Sequence, residues 1–221
     1  MKIIILIFSL IICSVSYCFG IDYNFGPTES IEPFFSVMQR FIYLGFTHIL
    51  PKGVDHILFV VGLYLLSHNW RTLLVQVTAF TVAHSITLAL AIIGIVSIPA
   101  HIVEPIIALS IMFIAIENIF YQKTPSWRWI IVFVFGLVHG LGFAGVLSEL
   151  GLPEGRFIPA LIAFNIGVEL GQLTVIAIAG FVTVWFLKQK WYKNVIVIPV
   201  SGSIACIGLF WTIQRILIIT Y

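Results

Sequence analysis

The chain is built on continuous apolar runs such as "IIVFVFGLVHGLGFAGVL" and "FIPALIAFNIGVELGQLTVIAIAGFV". A helix needs about 20 apolar residues to cross a bilayer. Inside hydrocarbon every backbone N–H and C=O must be satisfied internally, so only helices and closed barrels cross. These runs are unbroken rather than alternating in polarity, which excludes barrel strands. Composition agrees: 61% of residues are hydrophobic and 9% are charged, against about 25% charged in a soluble domain. The expected fold is an all-α membrane protein, a compact bundle of about six transmembrane helices.

The runs lie near 36–67, 72–96, 101–121, 129–147, 157–187 and 194–219. The first is too long for one straight helix, and Pro51 and Gly53 interrupt it. It reads as a short segment, a break at "LPKG", and a helix from Val54 to Leu66. Ahead of the runs, "MKIIILIFSLIICSVSYCFG" has a basic start, an apolar stretch and small residues. That pattern is a signal peptide over 1–20, or an uncleaved anchor, followed by a periplasmic stretch at 21–35. Residues 36–221 then form one polytopic membrane domain.

Charge orients the bundle. Arg71, Lys123, Arg128, Lys188, Lys190 and Lys193 fall in alternate loops, and the opposite loops carry Glu149, Glu154 and Arg156. The positive-inside rule makes the first set cytoplasmic. The expected location is the bacterial inner membrane, with the N-terminus outside. Lys52 and Arg215 run against this bias. The net charge of +2 has no basic patch behind it, which excludes a nucleic-acid partner. Cys13 and Cys18 lie in the leader, so its removal leaves Cys206 alone and excludes both an intrachain disulfide and a thiolate cluster.

The informative residues are the polar ones within the runs. A charged side chain at a helix centre costs about 2.5–3.5 kcal/mol on insertion. The first run carries His48, Asp55 and His56 around its break. Asp55 falls in the first turn of the resumed helix, where the helix dipole favours a carboxylate. The second run places Thr81, His84 and Ser85 on one face. The fourth carries His139 among Gly136, Gly140, Gly142 and Gly145, a pattern of close helix packing. The fifth aligns Asn165, Glu169 and Gln172 on one stripe. Each residue alone has an ordinary structural reading, as a cap, a packing histidine or a hydrogen-bonded network. Together they place imidazoles and carboxylates from four runs at similar depth. The expected metal ligands are His48, Asp55, His56, His84, His139 and Glu169, supported by Ser85, Glu104, Asn165 and Gln172. Imidazole and carboxylate without thiolate suit a divalent transition metal such as Ni²⁺, Zn²⁺, Cu²⁺ or Fe²⁺, with nickel or zinc foremost. His101 and Glu104 are expected at the outer end of the third run. Glu117 and Asn118 are expected among the cytoplasmic headgroups, and His68 in a surface loop.

Five stretches, "GFTHILPKGVDHILFVVGLYLL", "FTVAHSITLAL", "VEPIIALSI", "GLVHGLGFAG" and "FNIGVELGQ", resemble the HupE/UreJ family of bacterial membrane proteins over about residues 40–185. The resemblance implies association with hydrogenase and urease accessory functions and nickel transport. It also implies metal contacts at His48, Asp55, His56 and His139. The chain departs from the family pattern in the spacing of His48 from Asp55 and in Phe135-Gly136, which stand where a His-Gly pair is usual.

Two functions fit these residues. One is a permease for a nickel-type divalent cation, with the bilayer and the ion as partners and a homo-oligomer left open. No nucleotide-binding motif is present, so a gradient, the membrane potential or coupled protons would supply the energy. The other is an intramembrane metal-dependent hydrolase, with histidines holding a zinc-bound water and Asp55 or Glu169 as general base. A metal-sensing or chaperone-like subunit ranks behind both, because the loops are short.

Overall fold

The computed structural model describes residues 33–121, 123–149 and 155–218, and all regular structure in it is helical. The elements are α1 (Phe34–Ile49), α2 (Val54–Leu66), α3 (Trp70–Ile92), α4 (Ala100–Phe120), α5 (Arg128–Glu149) and α6 (Phe157–Thr183). A π-helical turn (Lys193–Val197) then leads directly into α7 (Ile198–Ile218). The expected leader over 1–20 and nearly all of 21–35 lie outside the described residues, as does Glu154.

Four helical segments are long and apolar enough to cross a bilayer: α3, α4, α6 and the continuous stretch Lys193–Leu217. The pair α1 and α2 makes a fifth candidate span, bent by 71° at its break. Helix α5 contributes a shorter apolar run, Arg128–Phe143. The break sits where the sequence puts Pro51 and Gly53. Leu50 is extended, with φ −122° and ψ 117°, and α2 starts after Gly53. A Cβ on Gly53 would overlap the carbonyl oxygen of His48, so only glycine lets the two half-helices meet this closely. The second span stops at Ile92 and the fifth at Thr183, each about one turn short of its apolar run.

Three tight helix pairs form the bundle. Gly45 of α1 lies against Phe164 and Val168 of α6, and Gly167 of α6 lies against Ile42 and Phe46 of α1. Gly136 and Gly140 of α5 lie against Phe80, Ala83 and His84 of α3. Gly208 of α7 lies against Ala108 and Met112 of α4. In each pair a missing side chain lets backbone meet backbone, the usual source of helix association in lipid. The small-residue spacing of the sequence thus has a direct structural counterpart. Helix α2 runs through the centre, touching α4 and α6 most and α1, α3 and α7 less. Phe59, Val60, Leu63, Tyr64 and Leu65 of α2 are all buried. Apolar side chains remain exposed on the outside, such as Ile86, Ile102, Val134, Ile162 and Phe210. This inside-out arrangement is what a hydrocarbon solvent permits.

The α1–α6 contact yields a test. A side chain at Gly167 would meet the carbonyl of Ile42, and overpacking of this kind costs about 1–3 kcal/mol. Gly167→Val should therefore lower the thermal unfolding midpoint of the detergent-purified protein. An unchanged midpoint would mean that α1 and α6 are not in backbone contact.

Candidate metal centre

Four helices bring four histidines together. His48 ends α1, His56 lies in the first turn of α2, and His84 and His139 lie within α3 and α5. The ring centres are 4.7 Å apart for His48 and His56, and 5.0 Å for His56 and His139. His84 stands 6.0 Å from both His48 and His56. Imidazoles sharing a tetrahedral ion through bonds of about 2.0–2.1 Å would have ring centres about 5 Å apart. The His48–His56 and His56–His139 pairs stand near that separation, and the His84 ring stands farther out. Their nitrogens are not yet aimed at one point: among the described residues, no three His, Cys, Asp or Glu side chains meet the geometry of a ligand set.

The hydrogen bonds around these rings are asymmetric. Nδ1 of His56 donates to Oδ1 of Asp55 at 3.0 Å, and Nδ1 of His139 donates to the Phe135 carbonyl at 2.8 Å. The Nε2 atoms of His56 and His139 have no hydrogen-bond partner and are buried. Nε2 of His48 and both nitrogens of His84 are likewise buried without partners. A buried donor or acceptor left unpaired costs about 1–3 kcal/mol. Five such nitrogens in one cluster need a compensating partner. Fixing Nδ1 by a carboxylate or carbonyl while Nε2 faces inward is how proteins prepare histidine to bind a metal.

Asp55 thus orients His56, and its carboxylate also accepts from the His56 backbone N–H at 2.9 Å. Helix α2 begins after Gly53 with no side-chain cap there, and Asp55 in its first turn satisfies the otherwise free His56 N–H. Phe143 packs against His48 with ring centres 3.8 Å apart and planes tilted by 42°, and Phe80 packs against His84, His56 and His139. These aromatic rings exclude water and hold the imidazoles in place.

A cavity of about 480 Å³ leads to the cluster. His48, Asp55, His56 and His139 line its inner part, while Lys52, Glu104 and Arg215 mark its mouth. Arg215 donates to the Glu104 carbonyl at 2.8 Å and lies 3.9 Å from its carboxylate. The expected place for Glu104 agrees with this mouth. His101, also expected there, is exposed and does not line the cavity.

Not every expected residue joins the cluster. The Glu169 carboxylate accepts from Thr78 at 2.6 Å, and Gln172 accepts from Thr81 at 3.1 Å. Thr78 lies six residues before His84, about 9 Å along the α3 axis. Glu169 therefore belongs to a polar ladder joining α3 to α6. Ser85 is turned to the Thr81 carbonyl of its own helix, and Asn165 to the Leu161 carbonyl of its own. Each occupies the face expected from spacing, but in a structural network.

Two expectations are corrected at the other end of the bundle. Glu117 and Asn118 do not reach headgroups: both are buried. Arg128, read as a loop charge, is completely buried and pairs with Glu117 at 3.0 Å. Single-helix spacing could not find this pair, because its partners lie on different helices. The Thr78–Glu169 bond likewise joins two helices and leaves no mark in single-helix spacing. Phe143 sits one turn beyond His139 and was findable from that spacing.

No curated protein and no solved structure matches the chain. The family model described as HupE / UreJ protein does match, over residues 29–215. That span takes in every helix from α1 to α6, all four histidines and most of α7, and the chain is a multi-pass membrane protein of the HupE/UreJ family.

Proposed function

We propose that this protein is a permease for a nickel-type divalent cation, which binds transiently among His48, His56, His84 and His139. The observation that carries this reading is the set of buried, unpartnered imidazole nitrogens at the base of a cavity. The family is linked to nickel and cobalt uptake, and an all-nitrogen donor set suits such ions. In this reading Glu104 draws cations to the mouth, and Asp55 holds the His56 ring and offsets the charge of the bound ion. By the positive-inside rule, the cavity opens to the periplasmic side of the bacterial inner membrane.

The hydrolase reading has less behind it. It needs a carboxylate free to act as base beside the ion, whereas Asp55 is engaged by His56 and Glu169 by Thr78.

The test is Ni²⁺ and Co²⁺ uptake by proteoliposomes, together with equilibrium binding to the purified protein. His56→Ala should abolish uptake and weaken binding by more than the about 10–100-fold that an outer partner's loss costs. Asp55→Asn should fall within that about 10–100-fold range, because it keeps the ring but loses its anchor. Tight stoichiometric binding with no flux in the wild type would overturn the permease reading.

Two further outcomes follow from the same geometry. Glu169→Gln should leave metal affinity within about twofold of wild type, since its carboxylate is bound to Thr78; a large loss would return it to the ligand set. Affinity should also fall on acidification, because protons and metal compete for the same ring nitrogens. A pH-independent isotherm between mildly acidic and neutral solution would argue against imidazole ligation.

A further inference from the structure

Beneath the histidines the bundle is sealed in layers. The next layer is aromatic, with Phe59 and Phe80 at 5.2 Å between ring centres and Phe59 and Phe135 at 6.1 Å. Phe59 and Phe80 are completely buried, and both touch the His139 ring. Below them Leu63, Ile111, Ile114 and Val132 form a dry aliphatic layer. The last layer is polar. Nε of Arg128 donates to Glu117 at 3.0 Å, and Nη2 donates to Asn118 at 3.2 Å. Asn118 in turn donates to the Gly62 carbonyl at 2.9 Å and to Ser201 at 3.2 Å. This clasp ties α5 to α4, α2 and α7.

On α5 the residues His139, Phe135, Val132 and Arg128 follow one another at helical spacing on one face. Arg128 lies about 16 Å below His139 along the axis. An ion leaving the histidines away from the cavity therefore meets all three layers in turn.

The clasp is an expensive way to hold helices together. A buried ion pair is weak evidence for stability, and apolar residues of similar volume often serve as well. This pair is also incompletely satisfied, since Nη1 of Arg128 and Oε1 of Glu117 are buried without partners. Parting the two charges while both stay buried is costly, so the clasp holds this end of the bundle shut unless a cation takes the place of Arg128 beside Glu117. It also keeps a fixed positive charge in the path of a cation, neutralised only while Glu117 is paired.

We propose that Phe59, Phe80 and Phe135, together with the Arg128–Glu117–Asn118 clasp, form the gate that closes the histidine site on the side away from the cavity. The gate opens when α5 parts from α4 and Arg128 leaves Glu117, whose carboxylate is then exposed to the passing cation. This rests on the permease reading above.

The experiment uses full-length protein in proteoliposomes, with Cys13, Cys18 and Cys206 replaced by serine as the reference. Glu117→Cys/Arg128→Cys removes both charges together, so neither is left buried alone. Bridging the two thiols with a reducible bis-methanethiosulfonate linker should leave Ni²⁺ binding within about twofold and slow Ni²⁺ flux at least about tenfold. Dithiothreitol should restore the flux. In a separate variant, Glu117→Gln/Arg128→Gln should bind Ni²⁺ equally well but pass it at least about tenfold faster, as about 1.4 kcal/mol off a barrier requires. Wild-type flux in either arm overturns the gate while leaving the permease reading intact. Absence of flux in the unmodified reference protein overturns both.

Discussion

Everything in this bundle is arranged around the cost of keeping imidazole nitrogens away from water. Four histidines converge where neither solvent nor backbone satisfies their inner nitrogens. In a low-dielectric interior an unpaired polar group is costly because nothing screens or replaces its lost hydration. In the permease proposed above, a cation would supply the missing partner, and the cavity, the aromatic walls and the Asp55 anchor would admit and position it. Without one, the cluster would be a liability that aliphatic residues could remove.

Close helix packing is what makes the convergence possible. Gly140 lies against the backbone of His84, and Gly53 against that of His48. The same glycines that let helices associate in lipid therefore set the distance between the imidazoles. Packing and function cannot be separated at these positions: any side chain there pushes an imidazole-bearing helix outward. The break between α1 and α2 plays a related part. It turns the end of one half-helix and the start of the next toward the same point, which an unbroken helix could not do.

Much of this was legible from the chain alone. Unbroken apolar runs gave the helices and their order within a few residues, because the bilayer allows no other structure. Pro51 and Gly53 marked the bend, and isolated histidines at membrane depth marked the cluster. The failures share one cause. Spacing places Glu117, Asn118 and Arg128 on their own helices, whereas their burial and pairing depend on partners across the bundle. Glu169 meets Thr78, and Arg128 meets Glu117 and Asn118. Spacing along one helix shows which residues share a face; it does not show which neighbour that face will meet.

The amino-acid sequence by itself thus determined the solvent, the helical class, the site of the break and which side chains were too costly to lie in lipid. Those follow from local composition and backbone hydrogen bonding, which need no knowledge of neighbours. Only the tertiary structure decided that four imidazoles gather, that Glu169 stands apart from them, and that Arg128 lies buried beneath them. These depend on how glycine-lined faces pair across the bundle, and that choice is made by packing between segments distant in the chain.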